Sequence, residues 1–354
     1  MTNMTRLERF LEKLRAEELD GFLVTGEKNI YYLTGFWGSA GTVFISQQRR
    51  IFVTDSRYIL IAKQVITDFE VVDSRDALGE IARLIADEQL DTIGFDNQVS
   101  YAYYQALANR FEGYELKPVY GFVEELRQIK DASELAIIRQ ACQISDQAFL
   151  DALDFIKPGK TEREVANFLD FRMRELGATG VSFETIVASG YRSAMPHGVA
   201  SDKVIAQHES LTLDFGCVFE HYVSDMTRTI HIGQTTDEER AIYEVALQAN
   251  AALIERAQAG LSFADYDGVP RGIIADAGYG ERFTHGIGHG MGLDVHEEPF
   301  FGRGAGHLQA GMVVTDEPGI YLDGRYGVRI EDDLYITETG CEVLTKAPKE
   351  LIVL

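Results

Sequence analysis

A chain of 354 residues is too long for one typical core, so two domains are expected. Its composition, 45% hydrophobic and 25% charged, is that of an ordinary soluble globular protein. With 33 basic against 56 acidic residues the net charge is -23, which argues against nucleic acid or an anionic membrane surface as a partner.

The opening stretch MTNMTRLERFLEKLRAEE is charged and amphipathic and holds no apolar signal core. Leu7, Phe10, Leu11 and Leu14 recur at helical spacing, which predicts a helix over 4–18. Strand-like runs follow at 21–25, 41–46, 50–55, 69–73 and 92–96, with helical patterns at 76–88 and 100–111. This alternation predicts a small α/β domain with a central sheet, ending near residue 125.

A new regime begins at KDASELAIIRQ. Asp131 or Ser133 can cap the start of a long helix, and Pro158-Gly159 stops it. A second helix follows at 161–176. No low-complexity linker intervenes, so the domains are expected to pack directly. The longest apolar runs, such as AIIRQACQI, fall short of the roughly 20 residues of a membrane-spanning helix. Cys142, Cys217 and Cys341 form no CxxC pair. They are read as reduced and buried, hence a cytoplasmic protein.

From 126 to 354 the chain reads as two related halves. The first has a long helix, a second helix, and a hairpin carrying Asp214 and Asp225. The second has a long helix over 236–259, another ending at ADAGY, and a hairpin carrying Glu317 and Glu331. A pseudo-twofold relation would bring the four carboxylates to one point. The fold class is α+β: an α/β domain over 1–125, then a pseudo-twofold domain over 126–354.

Acids are poor strand formers, and inside an apolar sheet they are costly unless neutralised. Asp214 alone is better explained by a solvated hairpin face. The set is harder to dismiss, because Glu317 and Glu331 also interrupt runs that read as buried. The segment FTHGIGHGMGLDVHEEP adds His285, His289 and His296 on a glycine-rich backbone. Four carboxylates and one imidazole suit a pair of divalent first-row ions such as manganese, cobalt, iron or zinc. Such a pair can share a bridging water that becomes hydroxide near neutral pH and attacks a carbonyl.

The series SAMPHGVAS, DFG…SDMTRT, HGIGHGMGLDVHEEP, DEPGIY and RIEDD resembles the motifs of the pita-bread metallopeptidases, in the aminopeptidase P and prolidase branch. NIYYLTGFWGSAG is similar to part of that branch's creatinase-like N-terminal domain. The resemblance spans the chain. It implies two divalent ions per subunit, manganese first and cobalt or zinc next, held by Asp214, Asp225, His289, Glu317 and Glu331. It implies that Asp225 and Glu331 bridge the ions, and that Glu317 shuttles the proton. His197, His285 and His296 would orient substrate and stabilise the tetrahedral intermediate. Arg329 would support the ligands or touch substrate. The implied substrate is a small peptide with proline second, cut before the proline, and the implied assembly is a homodimer.

Some prolidases carry an arginine a few residues after the histidine equivalent to His296. Here Phe300 stands near that point and Arg303 follows, which leaves dipeptidase and aminopeptidase action both open. Arg303 or Arg329 could replace that arginine. Trp37 either packs or lines the substrate entrance, there or in a partner subunit. His208, His221, His231 and His307 are read as surface residues, and Asp332-Asp333 as strand-end solvation. Two other readings compete: an inactive binding protein of the same fold, and a methionine-type aminopeptidase. The first is expected to have lost a ligand, and the second to lack an N-terminal domain of this size.

Overall fold

The computed structural model describes residues 4–301 and 305–354. It divides into two compact units, Met1–Arg127 and Gln128–Leu354.

The first unit is a six-stranded sheet. Its helices and strands run α1 (Arg6–Ala16), β1 (Gly21–Val24), α2 (Glu27–Thr34), β2 (Thr42–Ser46), β3 (Arg50–Thr54), α3 (Ile59–Val65), β4 (Glu70–Asp73), α4 (Ala77–Glu88), β5 (Thr92–Asp96), α5 (Tyr101–Arg110), β6 (Glu115–Val119) and α6 (Glu124–Arg127). The strand order is β4-β3-β2-β1-β5-β6. β1, β2 and β3 pair antiparallel in turn, while β4, β5 and β6 join in parallel. β1 is buried along its whole length, as a central strand should be. Phe10 of α1, Phe22 of β1 and Phe122 pack ring against ring on one face. Leu23, Phe44, Ile81, Ile85 and Phe95 belong to another apolar cluster.

In the second unit α7 (Ala132–Phe155) and α8 (Glu162–Glu175) precede β7 (Gly180–Val181), β8 (Ile186–Ser189), β9 (Glu209–Phe215), β10 (Cys217–Phe219), β11 (Tyr222–Val223) and β12 (Met226–Ile232). Then α9 (Asp237–Arg256) and α10 (Phe263–Asp276) precede β13 (His289–Gly290), β14 (Glu297–Phe300), β15 (Val313–Asp316), β16 (Gly319–Leu322), β17 (Tyr326–Arg329), β18 (Asp332–Thr337) and β19 (Gly340–Val343). Helix pair, then strands, occurs twice, in a pseudo-twofold pita-bread arrangement. Each half has its own core: residues such as Phe149, Leu169, Leu213 and Ile230 in one, Leu253, Tyr266, Ile320 and Leu334 in the other.

The halves meet along β12 and β17. Thr229 Oγ1 donates to Arg329 O (3.0 Å) and accepts from Arg329 N–H (3.1 Å). Glu331 N–H donates to Thr227 O (3.0 Å). Buried Arg228 closes the seam, donating to Glu331 O (2.5 Å), Asp332 Oδ1 (2.8 Å) and Ala347 O (2.9 Å). The segment 345–354 is strapped on from several sides. Lys346 and Ala347 N–H groups bond Asp146, Tyr243 Oη bonds Lys349 O, and His231 N–H bonds Ile352 O.

Several expectations need correction. Asp332 and Asp333 are fully buried, because Arg228 and Lys349 pair with Asp332, and Asp333 accepts the Asp225 N–H. His231 is buried, because β12 lies between β9 and the 345–354 segment. Its Nε2 lies 3.3 Å from Glu239 Oε1. His208 and His307 are exposed and His221 is half-buried. Cys142 and Cys217 are buried, but Cys341 is only partly so; all three are free. Among the described residues, no helix is long and apolar enough to cross a membrane.

Candidate metal centre

The strands bring the five expected donors to the seam. Asp214 lies on β9, opposite Thr227 of β12 in the register. Asp225 is the residue before β12, and its N–H donates to Asp333 Oδ2 (3.0 Å). From the other half, Glu317 follows β15 and Glu331 joins β17 to β18. His289 opens β13, its N–H held by Thr315 Oγ1 (3.1 Å). Gly290 lets that strand run tight, since a Cβ there would sit 2.3 Å from Glu298 O. One atom each from Asp225, His289 and Glu331 lies within 4.8 Å of the others.

His289 is oriented for a ligand's task. Its Nδ1 faces Gly290 O (3.1 Å) and takes the donor role, which leaves the Nε2 lone pair free. Nε2 stands 3.8 Å from Asp225 Oδ2 and 3.7 Å from Glu317 Oε1. Those gaps are too long for hydrogen bonds and suit an ion between the donors. Burial, then nearby His296, lowers the His289 pKa to about 4, so the ring is neutral at pH 7. Burial, then Glu331 and Asp214, drives the Asp225 pKa well up. Burial and Glu317 do the same to Glu331. Glu317 rises to about 8, by burial against the opposing pull of Arg329.

A cation fits this donor set. Two carboxylates under 5 Å apart repel by about 3–4 kcal/mol at an effective dielectric near 20. That is a large share of the roughly 5–15 kcal/mol that holds a domain folded. The acids must therefore be protonated or neutralised. Asp214 Oδ1 is buried without a hydrogen-bond partner, an atom left for a ligand.

Around the donors runs an ordered chain of hydrogen bonds. Arg329 Nη2 donates to Asp214 Oδ2 (2.5 Å) and Nε to Thr227 Oγ1 (3.0 Å). Thr227 then donates to Glu331 Oε2 (2.6 Å). Arg329 Nη1 donates to Tyr321 Oη (2.8 Å), so the Tyr321 hydroxyl donates to His285 Nε2 (2.8 Å). His285 Nδ1 faces Gly286 O (2.7 Å) and stands 3.8 Å from Glu317 Oε2. Burial, then Arg329, brings the His285 pKa to about 4. Arg329 is buried with all three nitrogens engaged, so it faces the acidic cluster and is turned away from solvent. His296 is exposed, its ring centroid 4.2 Å from that of His289. His197 is exposed on the loop after β8.

Residues 136–338 match the model of metallopeptidase family M24, and residues 6–129 match the creatinase/prolidase N-terminal domain. The chain belongs to metallopeptidase family M24. The M24 chain is 43% identical to the Xaa-Pro dipeptidase from Bacillus anthracis, a solved structure with TM-score 0.96 and 99% of each chain covered. It is 39% identical to the X-Pro aminopeptidase from Thermotoga maritima, with TM-score 0.89, 99% of this chain and 100% of the other covered. It is 36% identical to the Xaa-Pro dipeptidase of Pyrococcus horikoshii, with 98% of each chain covered.

Sequence reasoning missed several supports of this M24 centre. Tyr321, Thr227 and Thr315 carry its hydrogen-bond chain. Asn250 of α9 donates to both Asp316 and Asp332, the neighbours of Glu317 and Glu331 (3.1 Å each). Asp267 and Arg271 of α10 hold the backbone of the histidine segment at Phe283, His285 and Ile287. The threonines had a signal: Thr227 and Thr229 alternate along β12. Asn250 had none. Phe300 is exposed at the end of β14, and Arg303 lies outside the described residues. Trp37 is in the loop between α2 and β2, partly exposed, with its ring against Tyr31.

Proposed function

We propose that this chain is a metal-dependent Xaa-Pro peptidase, cleaving the bond between the first residue and a proline in dipeptides or short peptides. The observation that carries the reading is the convergence of carboxylates and one neutral imidazole from both halves on a single buried point. The substrate class is supported by full-length likeness to chains named Xaa-Pro dipeptidase and X-Pro aminopeptidase.

Asp214, Asp225, His289, Glu317 and Glu331 would hold two divalent ions, with Asp225 and Glu331 shared. Manganese is the expected ion, and cobalt or zinc the alternatives. Bound there, such ions polarise the scissile carbonyl and bring the pKa of water toward neutrality. Glu317 is the base: with a cation beside it the carboxylate accepts a proton and passes it to the departing proline nitrogen. That nitrogen carries no hydrogen in the peptide, so it must gain one to leave as an amine. His197 and His296, both exposed, offer ring N–H groups to the oxyanion. His285 and Arg329 act as positioning residues, through Tyr321 and the carboxylates.

The same reading includes a homodimer and a cytoplasmic location. Free thiols support the location. The first unit exposes Leu60, Ile61 and Val65 on α3, and Trp37 in the loop after α2, as the face proposed to pair.

The test is hydrolysis of Ala-Pro and of the same dipeptide extended by two residues, with manganese-loaded protein. Cleavage of the dipeptide alone defines a prolidase, and cleavage of both defines an aminopeptidase P type. Asp225→Asn should lower metal content and abolish either activity. If neither peptide is cut while Asp225→Asn lowers metal content, the centre stands and the substrate assignment falls.

A further inference from the structure

The loop between β8 and β9 carries His197, and a single carboxylate gathers that loop. Glu162 opens α8 and is fully buried, a rare place for a glutamate. Its Oε1 accepts from Ser189 N–H (2.8 Å) and Ser189 Oγ–H (2.9 Å). Its Oε2 accepts from Arg192 Nε (2.9 Å), Ser201 N–H (3.1 Å) and Ser201 Oγ–H (2.6 Å). The donors lie on both sides of His197. Arg192 Nη2 then reaches across to Val199 O (2.6 Å), two residues past the imidazole.

The gathered loop is also docked on the other half. Ser193 Oγ accepts the Gly327 N–H (2.8 Å) on β17, two residues from Arg329. Gly327 has no room for a side chain, since a Cβ would sit 2.3 Å from Ser193 O.

Stability alone is a weak reason for a buried ion pair, because desolvation offsets most of its attraction. Five directional bonds onto one carboxylate do something else: they specify where a loop stands. We propose that Glu162 is a positioning residue, which draws Ser189, Arg192 and Ser201 together and so fixes the place where His197 meets substrate. The proposal rests on the role given to His197 above.

Glu162→Gln keeps the size and leaves an amide N–H facing donors at one end of the site. The expected result is unchanged manganese content and a kcat lower by about 10- to 100-fold, with a smaller change in KM. In a His197→Ala background the same substitution should change kcat by less than about twofold. In metal-free protein, amides 190–200 should exchange hydrogen faster, and those of 211–230 should not. An equal loss of kcat in both backgrounds, or unchanged exchange over 190–200, overturns the proposal. If the parent protein cuts no Xaa-Pro peptide, the substrate reading fails, and the exchange arm still decides whether Glu162 holds the loop. If Glu162→Gln does not fold, Arg192→Met removes one donor and carries the same comparison.

Discussion

One hydroxyl joins two of the side chains that steer the centre. Tyr321 accepts from Arg329 and donates to His285, so it sets the tautomer of the histidine and occupies one arm of the arginine. Tyr321→Phe leaves a buried guanidinium N–H without an acceptor, a loss of about 1–3 kcal/mol. It should lower Tm and reduce kcat about tenfold while manganese content is kept, measured by thermal melts and steady-state assays. An unchanged kcat would mean that the hydroxyl only fills space. Asp214, Asp225, Glu317 and Glu331 were legible because acids break apolar runs. Tyr321 and Asn250 were not, because a hydroxyl in a strand or an amide in a helix is unremarkable until its partner is known. Asp332-Asp333 was misread for the same reason: the cations that bury Asp332, Arg228 and Lys349, stand far away in sequence on one side or beyond the next hairpin on the other. The spacing of Arg329 to Glu331 placed it near the proposed ligands, but could not say that its guanidinium turns inward to Asp214.

Among the elements, those with an explicit start were readable. Thr5/Glu8, Asp131/Glu134, Thr161/Glu164 and Thr236/Glu239 all form capping boxes, and each opens a helix expected from the sequence. α2 and α3 lacked that signal: they are 8 and 7 residues long and neither has a side-chain cap. β6 carries Pro118 and has no buried face, so its alternation was weak. The strands that deliver the acids also tie stability to pH. In the metal-free protein Glu317 has a pKa near 8, and Asp225 and Glu331 are raised as well, through burial first and neighbouring charges second. A raised acid stabilises the fold fully below its unfolded value, near 4.5 for Glu317, and that contribution is lost as pH climbs to about 8. Manganese takes over the neutralising role. The gap in Tm between loaded and metal-free protein should therefore widen from about pH 5 to about pH 8, with protons released on binding at pH 7. A constant gap would mean that the acids are already ionised without metal.

For the whole molecule, the proposed homodimer makes a direct expectation. Leu60 is 77% exposed, so Leu60→Asp should leave the fold of its unit intact. It should convert dimer to monomer in sedimentation, and a parent protein that is monomeric at assay concentration would remove the dimer from the reading. Each copy carries a net charge of -23, so association should strengthen with salt as the repulsion is screened. Two domains could be expected from length and two halves from repeated order. The strap formed by 345–354 could not, because nothing in that short stretch announces what it covers. That strap has a consequence for synthesis. A growing chain that has reached residue 340 already owns every proposed metal ligand, yet Arg228 still lacks Ala347 and the Asp332 carboxylate still lacks Lys349. The seam therefore gains its last partners only after the strap has emerged from the ribosome.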